Sequence, residues 1–177
     1  GTWYYEAVDH MAAEGYIRGI SDTHYGPALK MNRASFVTLL GRLEGVEATA
    51  SETRFDDVPV ESFYSGYVAW AAKTGITTGV DATHFNPTGS VSRAQMVAFL
   101  YRYAKSVDPD LKVGDARQIL GAFADGQEVL AYDWMAESFA WAIENGIING
   151  MDGKLNPYGL TNRAQVAVML YRFFFEA

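Results

Sequence analysis

Residues 75–95 read GITTGVDATHFNPTGSVSRAQ, and the same words return at 146–165 as GIINGMDGKLNPYGLTNRAQ and, more loosely, at 15–35 as GYIRGISDTHYGPALKMNRAS. Aligned on Arg33, Arg93 and Arg163, the three copies match as Asn32-Arg33-Ala34-Ser35, Ser92-Arg93-Ala94-Gln95 and Asn162-Arg163-Ala164-Gln165. Pro27, Pro87 and Pro157 stand six residues upstream, and Tyr25, Phe85 and Leu155 eight upstream. Glycines four apart come further back, at Gly15/Gly19, Gly75/Gly79 and Gly146/Gly150, and a large aromatic (Trp3, Phe63, Trp134) precedes the first glycine of each pair by twelve. Self-similarity of this length identifies a repeat architecture in which no single copy can bury its own apolar face.

Differences between copies fall where a chain tolerates them. The third copy is one residue shorter between Gly150 and Arg163, in the loop 150–155. Ten extra residues separate Arg93 from Arg163, around Ser106 to Gln127, a stretch with Pro109, Gly114, Gly121 and Gly126 that reads as an extended connection. Phe55-Asp56-Asp57 and Phe123-Ala124-Asp125 lead into the second and third copies, while the first copy lacks such a lead. The organisation is therefore repeat 1 at 1–48, repeat 2 at 53–106, a connection at 107–122 and repeat 3 at 123–177, together one compact module.

Each unit reads as helix, glycine-punctuated loop, helix. Phe63, Tyr67, Trp70, Ala71 and Thr74 recur at helical spacing and stop at Gly75, and the third copy does the same from Trp134 through Trp141 to Gly146. Asn32, Ser92 and Asn162 are N-cap residues for the second helix, Ser92 with Gln95 forming a capping box. Beyond the caps, Phe36/Leu39/Leu40/Leu43, Met96/Phe99/Leu100/Tyr103 and Val166/Met169/Leu170/Phe173 mark the core face. The expected fold is all-α, three helix-loop-helix units.

Composition narrows the function. The chain is 177 residues, 49% hydrophobic and 14% aromatic, ample material for a packed core. It has no cysteine, which excludes thiol nucleophiles and Cys-ligated zinc, and its formal charge of −7 argues against general affinity for nucleic acid or an anionic membrane. No stretch is long and apolar enough to span a bilayer; Val166 to Phe175 is broken by Arg172. An anionic ligand needs a local basic site.

Arg33, Arg93 and Arg163 offer one. A cation at the first helical position opposes the helix dipole, so something must offset it. One reading is an anion site, with the guanidinium and the four unpaired N–H groups of the helix start converging on one point. The other is a salt bridge to an Asp or Glu of a neighbouring unit. Arg42, Arg102 and Arg172 sit nine residues into the helix, where positive charge complements the dipole, and are assigned to structure.

These words resemble the surface-layer homology modules of bacterial envelope proteins. That signature runs Phe-x-Asp, a helix opened by an aromatic, Gly-Ile-x-x-Gly, an Asp-Gly-type turn, Phe-x-Pro, then Ile-Thr-Arg-Ala-Glu. The resemblance implies a pseudo-threefold bundle of the three repeats, with grooves between them that bind a secondary cell-wall polysaccharide, often one bearing a pyruvate ketal whose carboxylate the motif arginine reads. It implies a secreted Gram-positive surface location, a place within a larger surface protein, no cofactor and no metal. Gly19, Gly79 and Gly150 join the arginines as ligand candidates because they let a sugar approach the backbone, or else they only close the turn. Asp81 and Asp152 would accept sugar hydroxyls, or make Asx-turns. The family's glutamate is Ser35, Gln95 and Gln165 here. The first copy departs furthest, with Gly19-Ile20-Ser21-Asp22, Tyr25-Gly26-Pro27, and Asp9-His10 in place of Ala69-Trp70 and Ala140-Trp141.

Two other classes compete. A self-assembly module would use the aromatic surplus for contacts between copies. An enzyme would need a carboxylate pair that breaks the repeat pattern, and none stands out. His10 and Glu14 are four apart beside Asp9, but no second histidine sits at ligand spacing, so no metal is expected.

Overall fold

A computed structural model describes residues 2–21 and 23–176; Asp22, in the first copy's turn, lies outside them. The elements are α1 (Tyr5–Ala13), α2 (Arg33–Leu43), α3 (Ser65–Lys73), α4 (Arg93–Val107), α5 (Ala116–Leu120), α6 (Gly126–Leu130), α7 (Asp133–Glu144) and α8 (Arg163–Tyr171), followed by a π-helical turn at Arg172–Glu176. The fold is all-α: the described residues hold no extended sheet, only isolated bridges.

The sequence signals for starting and stopping helices act as read. α1, α3 and α7 run out into Gly15, Gly75 and Gly146, whose φ angles of 76°, 77° and 66° lie in the left-handed region that a side chain resists. At the other end, Asn32, Ser92 and Asn162 cap α2, α4 and α8, accepting from the amides of Ser35, Gln95 and Gln165 at 2.8, 3.2 and 2.9 Å. Ser92–Gln95 and Asn162–Gln165 are both complete capping boxes.

The segments just before those caps meet one another. Met31 N–H donates to the Thr161 carbonyl (3.0 Å), Thr161 N–H to Val91 (2.9 Å) and Val91 N–H back to Met31 (2.9 Å), a closed triangle of backbone bonds. The helix starts are tied into the same ring. The amides of Arg33 and Ala34 donate to Gly89 and Pro87, those of Arg93 and Ala94 to Gly159 and Pro157, and those of Arg163 and Ala164 to Leu29 and Pro27, at 2.8–3.1 Å. The first two amides of each helix thus bond to the next repeat and the third to the cap. This corrects the expected anion site: the N–H groups are already spent within the protein, so any anion must be held by the guanidinium alone.

Packing follows the ring. α3 lies against α2, α7 against α4 and α1 against α8, so the first helix of each repeat packs on the second helix of the one before. The residues assigned to the core are there: Phe36, Leu40, Met96, Leu100, Val166 and Leu170 are fully buried, and Phe36 and Phe99 stack at 5.5 Å. Trp141 fills the α4–α7 interface against Tyr101 (5.6 Å), and Trp70 fills the α2–α3 interface over Gly41 while its other side meets Tyr103 of its own repeat (6.5 Å). His10 takes that position in the third, 5.3 Å from the ring of Tyr171 and 4.6 Å from Phe175.

Asp57 and Asp125 show what the Phe-x-Asp lead does. Each carboxylate accepts two successive amides of the turn ahead of the second helix, Phe85 and Asn86 at 2.8 and 2.7 Å, and Leu155 and Asn156 at 2.7 Å each. Asn86 and Asn156, at φ 59° and 51°, hold the tight bend. The stretch expected to be an extended connection is partly helical instead. α5 falls within 107–122 and buries Leu120 completely, and with α6 it packs on α7. Asp115 caps α5 by accepting from Arg117 and Gln118, which explains how so glycine-rich a segment starts a helix.

Candidate functional site: three grooves between repeats

Each motif arginine lines a groove, and each groove draws on all three repeats. Arg33 of repeat 1 meets Thr77, Gly79, Gln95 and Arg102 of repeat 2, with Trp134 of repeat 3 at the edge, around about 340 Å³. Arg93 of repeat 2 meets Ile148, Gly150, Gln165 and Arg172 of repeat 3, with Trp3 of repeat 1, around about 350 Å³. Arg163 of repeat 3 meets Ile17, Gly19, Ser35 and Arg42 of repeat 1, with Phe63 of repeat 2, around about 180 Å³. The wall after the first glycine, the third residue of the second helix and a rim aromatic recur in the same roles each time.

The second glycine of each pair is required by the turn as well as lining the groove. A Cβ on Gly79, at φ 86°, would come within 2.6 Å of the carbonyl oxygens of Asp81 and His84, and one on Gly19 within 2.4 Å of that of Ser21. Asp81 and Asp152 are not among the residues lining the grooves. Asp81 is engaged in its own turn, accepting from the amides of Thr83 (2.9 Å) and His84 (2.8 Å) and pairing with the His84 ring at 2.9 Å. The Thr83 amide and then the His84 ring hold the Asp81 carboxyl below its ordinary range, and the bond to Asp81 holds the imidazole of His84 above its own.

The electrostatics of the grooves are one-sided. His84–Asp81 is the single salt bridge among the described residues, so no arginine lining a groove has a described carboxylate within 4.0 Å. The alternative expectation of an ion pair to a neighbouring unit is therefore not met. Burial pushes Arg33 down to about 10, with Asp57 opposing that shift and Arg102 adding to it; Arg93 is lowered by burial and then by Arg172, against Asp125. In these two grooves the motif arginine is partly withdrawn from water beside a second positive charge, a state that an incoming anion relieves.

Two sets of groove-lining residues were not singled out from sequence. Arg42, Arg102 and Arg172, assigned to the helix dipole, line the grooves opposite the motif arginines. Trp3, Phe63 and Trp134, which aligned as helix-opening aromatics, are 61%, 68% and 46% exposed and stand at groove rims; Phe63 precedes α3 altogether. Their threefold recurrence was visible, but the groove each one reaches belongs to two other repeats, which no local pattern specifies.

A ring of helical repeats with basic, aromatic-rimmed clefts defines a repeat-built binding module. The family model for the S-layer homology domain matches residues 1–37, 54–97 and 129–167, one segment in each repeat. The chain belongs to the S-layer homology domain family, and it is a module of the cell surface. Relatives include S-layer protein EA1 of Bacillus anthracis, 25% identical over 94% of this chain and 18% of that protein. The cell surface protein of Thermoanaerobacter kivui is 27% identical over 96% of this chain and 20% of its own length, and the exoglucanase XynX of Acetivibrio thermocellus 26% over 96% and 15%. The chain thus spans a fifth or less of each of these proteins.

Proposed function

We propose that this chain anchors a larger surface protein non-covalently to a secondary cell-wall polysaccharide by seating acidic saccharide units in its grooves. One observation carries this reading: each groove sets its motif arginine and a second arginine from the neighbouring repeat, with no carboxylate partner among the described residues, beside an exposed aromatic ring. Paired guanidiniums suit a carboxylate such as that of a ketal-linked pyruvate, held through two parallel N–H···O bonds, and the ring covers the apolar face of the sugar. The role is binding, for which grooves that pair cations with aromatics are suited. The small share of each relative's length that the chain covers supports its being one part of a larger protein.

The test is sedimentation with purified Gram-positive wall sacculi before and after acid removal of the secondary polymers. Binding lost on the stripped walls supports the proposal. Undiminished binding to stripped walls redirects the ligand to peptidoglycan, and binding to neither, with concentration-dependent self-association, favours the assembly reading.

A further inference from the structure

We infer that the three grooves are not equivalent: the Arg93 groove is the principal saccharide site, while Arg33 and Arg163 are committed to joining the repeats. This rests on the anchoring role proposed above. The difference begins eight residues before the motif arginine of the facing repeat. Arg33 meets Phe85 and Arg163 meets Tyr25, but Arg93 meets Leu155.

An aromatic at that position captures the guanidinium. The Arg33 guanidinium carbon lies 4.8 Å from the centre of the Phe85 ring and 5.2 Å from that of Phe99, and its Nε donates to the Phe85 carbonyl at 2.7 Å. Arg33 is only 4% exposed. Arg163 lies 4.6 Å from the Tyr25 ring centre, its Nε donates to the Tyr25 carbonyl at 3.1 Å, and a second nitrogen bonds the Arg18 carbonyl. Both side chains spend donors on the next repeat's backbone and lie against its ring.

Arg93 does neither. Leucine offers no ring face, and the Arg93 Nε is buried with no acceptor among the described residues. A buried charged donor without a partner is costly, and the group that removes that cost is a bidentate acceptor arriving from the groove. The cleft suits one. Arg172 lies across it, Ile148 stands where the Arg33 groove has Thr77, Val168 and Met169 continue the apolar wall at the places of Ala98 and Phe99, and Trp3 stands at the rim. Lower polarity strengthens the ion pair formed there.

The experiment follows the arginine Nε–H resonances of the whole chain by NMR during titration with glycan fragments released by acid from Gram-positive walls, together with affinities of single variants. The Arg93 resonance should move at the lowest fragment concentration while that of Arg33 stays in place, and Arg93→Ala should weaken binding by about tenfold or more. Leu155→Phe installs the residue of the second repeat without removing either guanidinium; because Leu155 is fully buried the larger ring should lower the melting temperature, and the folded variant, assayed below its transition, should lose about tenfold in affinity by tethering Arg93. Arg163→Ala should change affinity by less than Arg93→Ala. Earlier movement of Arg33 or Arg163, equal losses for Arg93→Ala and Arg163→Ala, or parental affinity in a folded Leu155→Phe each overturn the assignment. A parent chain that binds none of the fragments refutes the anchoring role itself, a different result from binding that is misplaced among the grooves.

Discussion

At Gly79 the backbone has φ 86° and two carbonyl oxygens stand where a Cβ would go. Gly79→Ala is therefore expected to destabilise the fold by about 2 kcal/mol or more, measured by denaturant unfolding, because the alanine is strained in that region and collides with backbone that cannot rotate away. Two residues on, the Asp81–His84 pair gives the turn a pH dependence. The raised His84 pKa means that its contribution is fully present below the ordinary histidine range and is lost as pH rises through the elevated value. For Asp81 the pair's contribution disappears as pH falls through its lowered pKa. NMR titration should place the His84 midpoint above that of a free histidine, and Asp81→Asn should bring it back down; an unmoved midpoint would remove the pair's electrostatic role. At this scale the sequence was highly legible for backbone roles, the caps and glycines being dictated by local geometry. It was poorly legible for the six arginines. Whether a guanidinium stacks, donates to a carbonyl or stays unpartnered depends on Phe85, Tyr25 or Leu155 supplied by the next repeat.

Helix boundaries rest on short-range chemistry and can be tested one at a time. Ser92→Ala removes an acceptor for the Gln95 amide at the start of α4 and is expected to cost about 1 kcal/mol, seen as a lowered denaturation midpoint with an unchanged slope. The effect should stay local to stability and leave the Arg93 amide bonded to Gly159, since that bond belongs to the ring. The 107–122 segment shows where element prediction falters. Glycines and a proline suggested open chain, yet Asp115 supplies a cap and Leu120 an anchor, and burial against α7 decides the outcome. The rim aromatics are the complementary case. Phe63 fits a helical stripe by spacing, but the helix begins at Ser65 and leaves the ring to a cleft formed by repeats 1 and 3.

Across the whole molecule the three repeats share a single core and a single bonding ring, so they should unfold together. A chain ending before residue 123 loses the α7 partner of α4, the α8 partner of α1, and two sides of the backbone triangle. It is expected to show no cooperative melting transition by calorimetry, whereas the full chain shows one; a stable two-repeat fragment would contradict a shared core. The threefold count and the order of the copies were readable from the sequence because repetition is a linear property. The exchange of helices between neighbouring copies was not, since the same apolar stripe could have packed within its own unit.

The backbone triangle through Met31, Val91 and Thr161 is complete, each amide donating once within it, and the Thr161 hydroxyl adds a second bond to the Val91 carbonyl at 2.9 Å. Its three amides are all bonded within it, so a fourth repeat of the same kind would have to break the triangle to join the ring. Closure also brings α1 and α8 side by side, which makes the order of units along the chain a matter of connectivity more than of architecture. A circular permutant that starts repeat 2 first and joins α8 to α1 through a linker would preserve every interface of the ring.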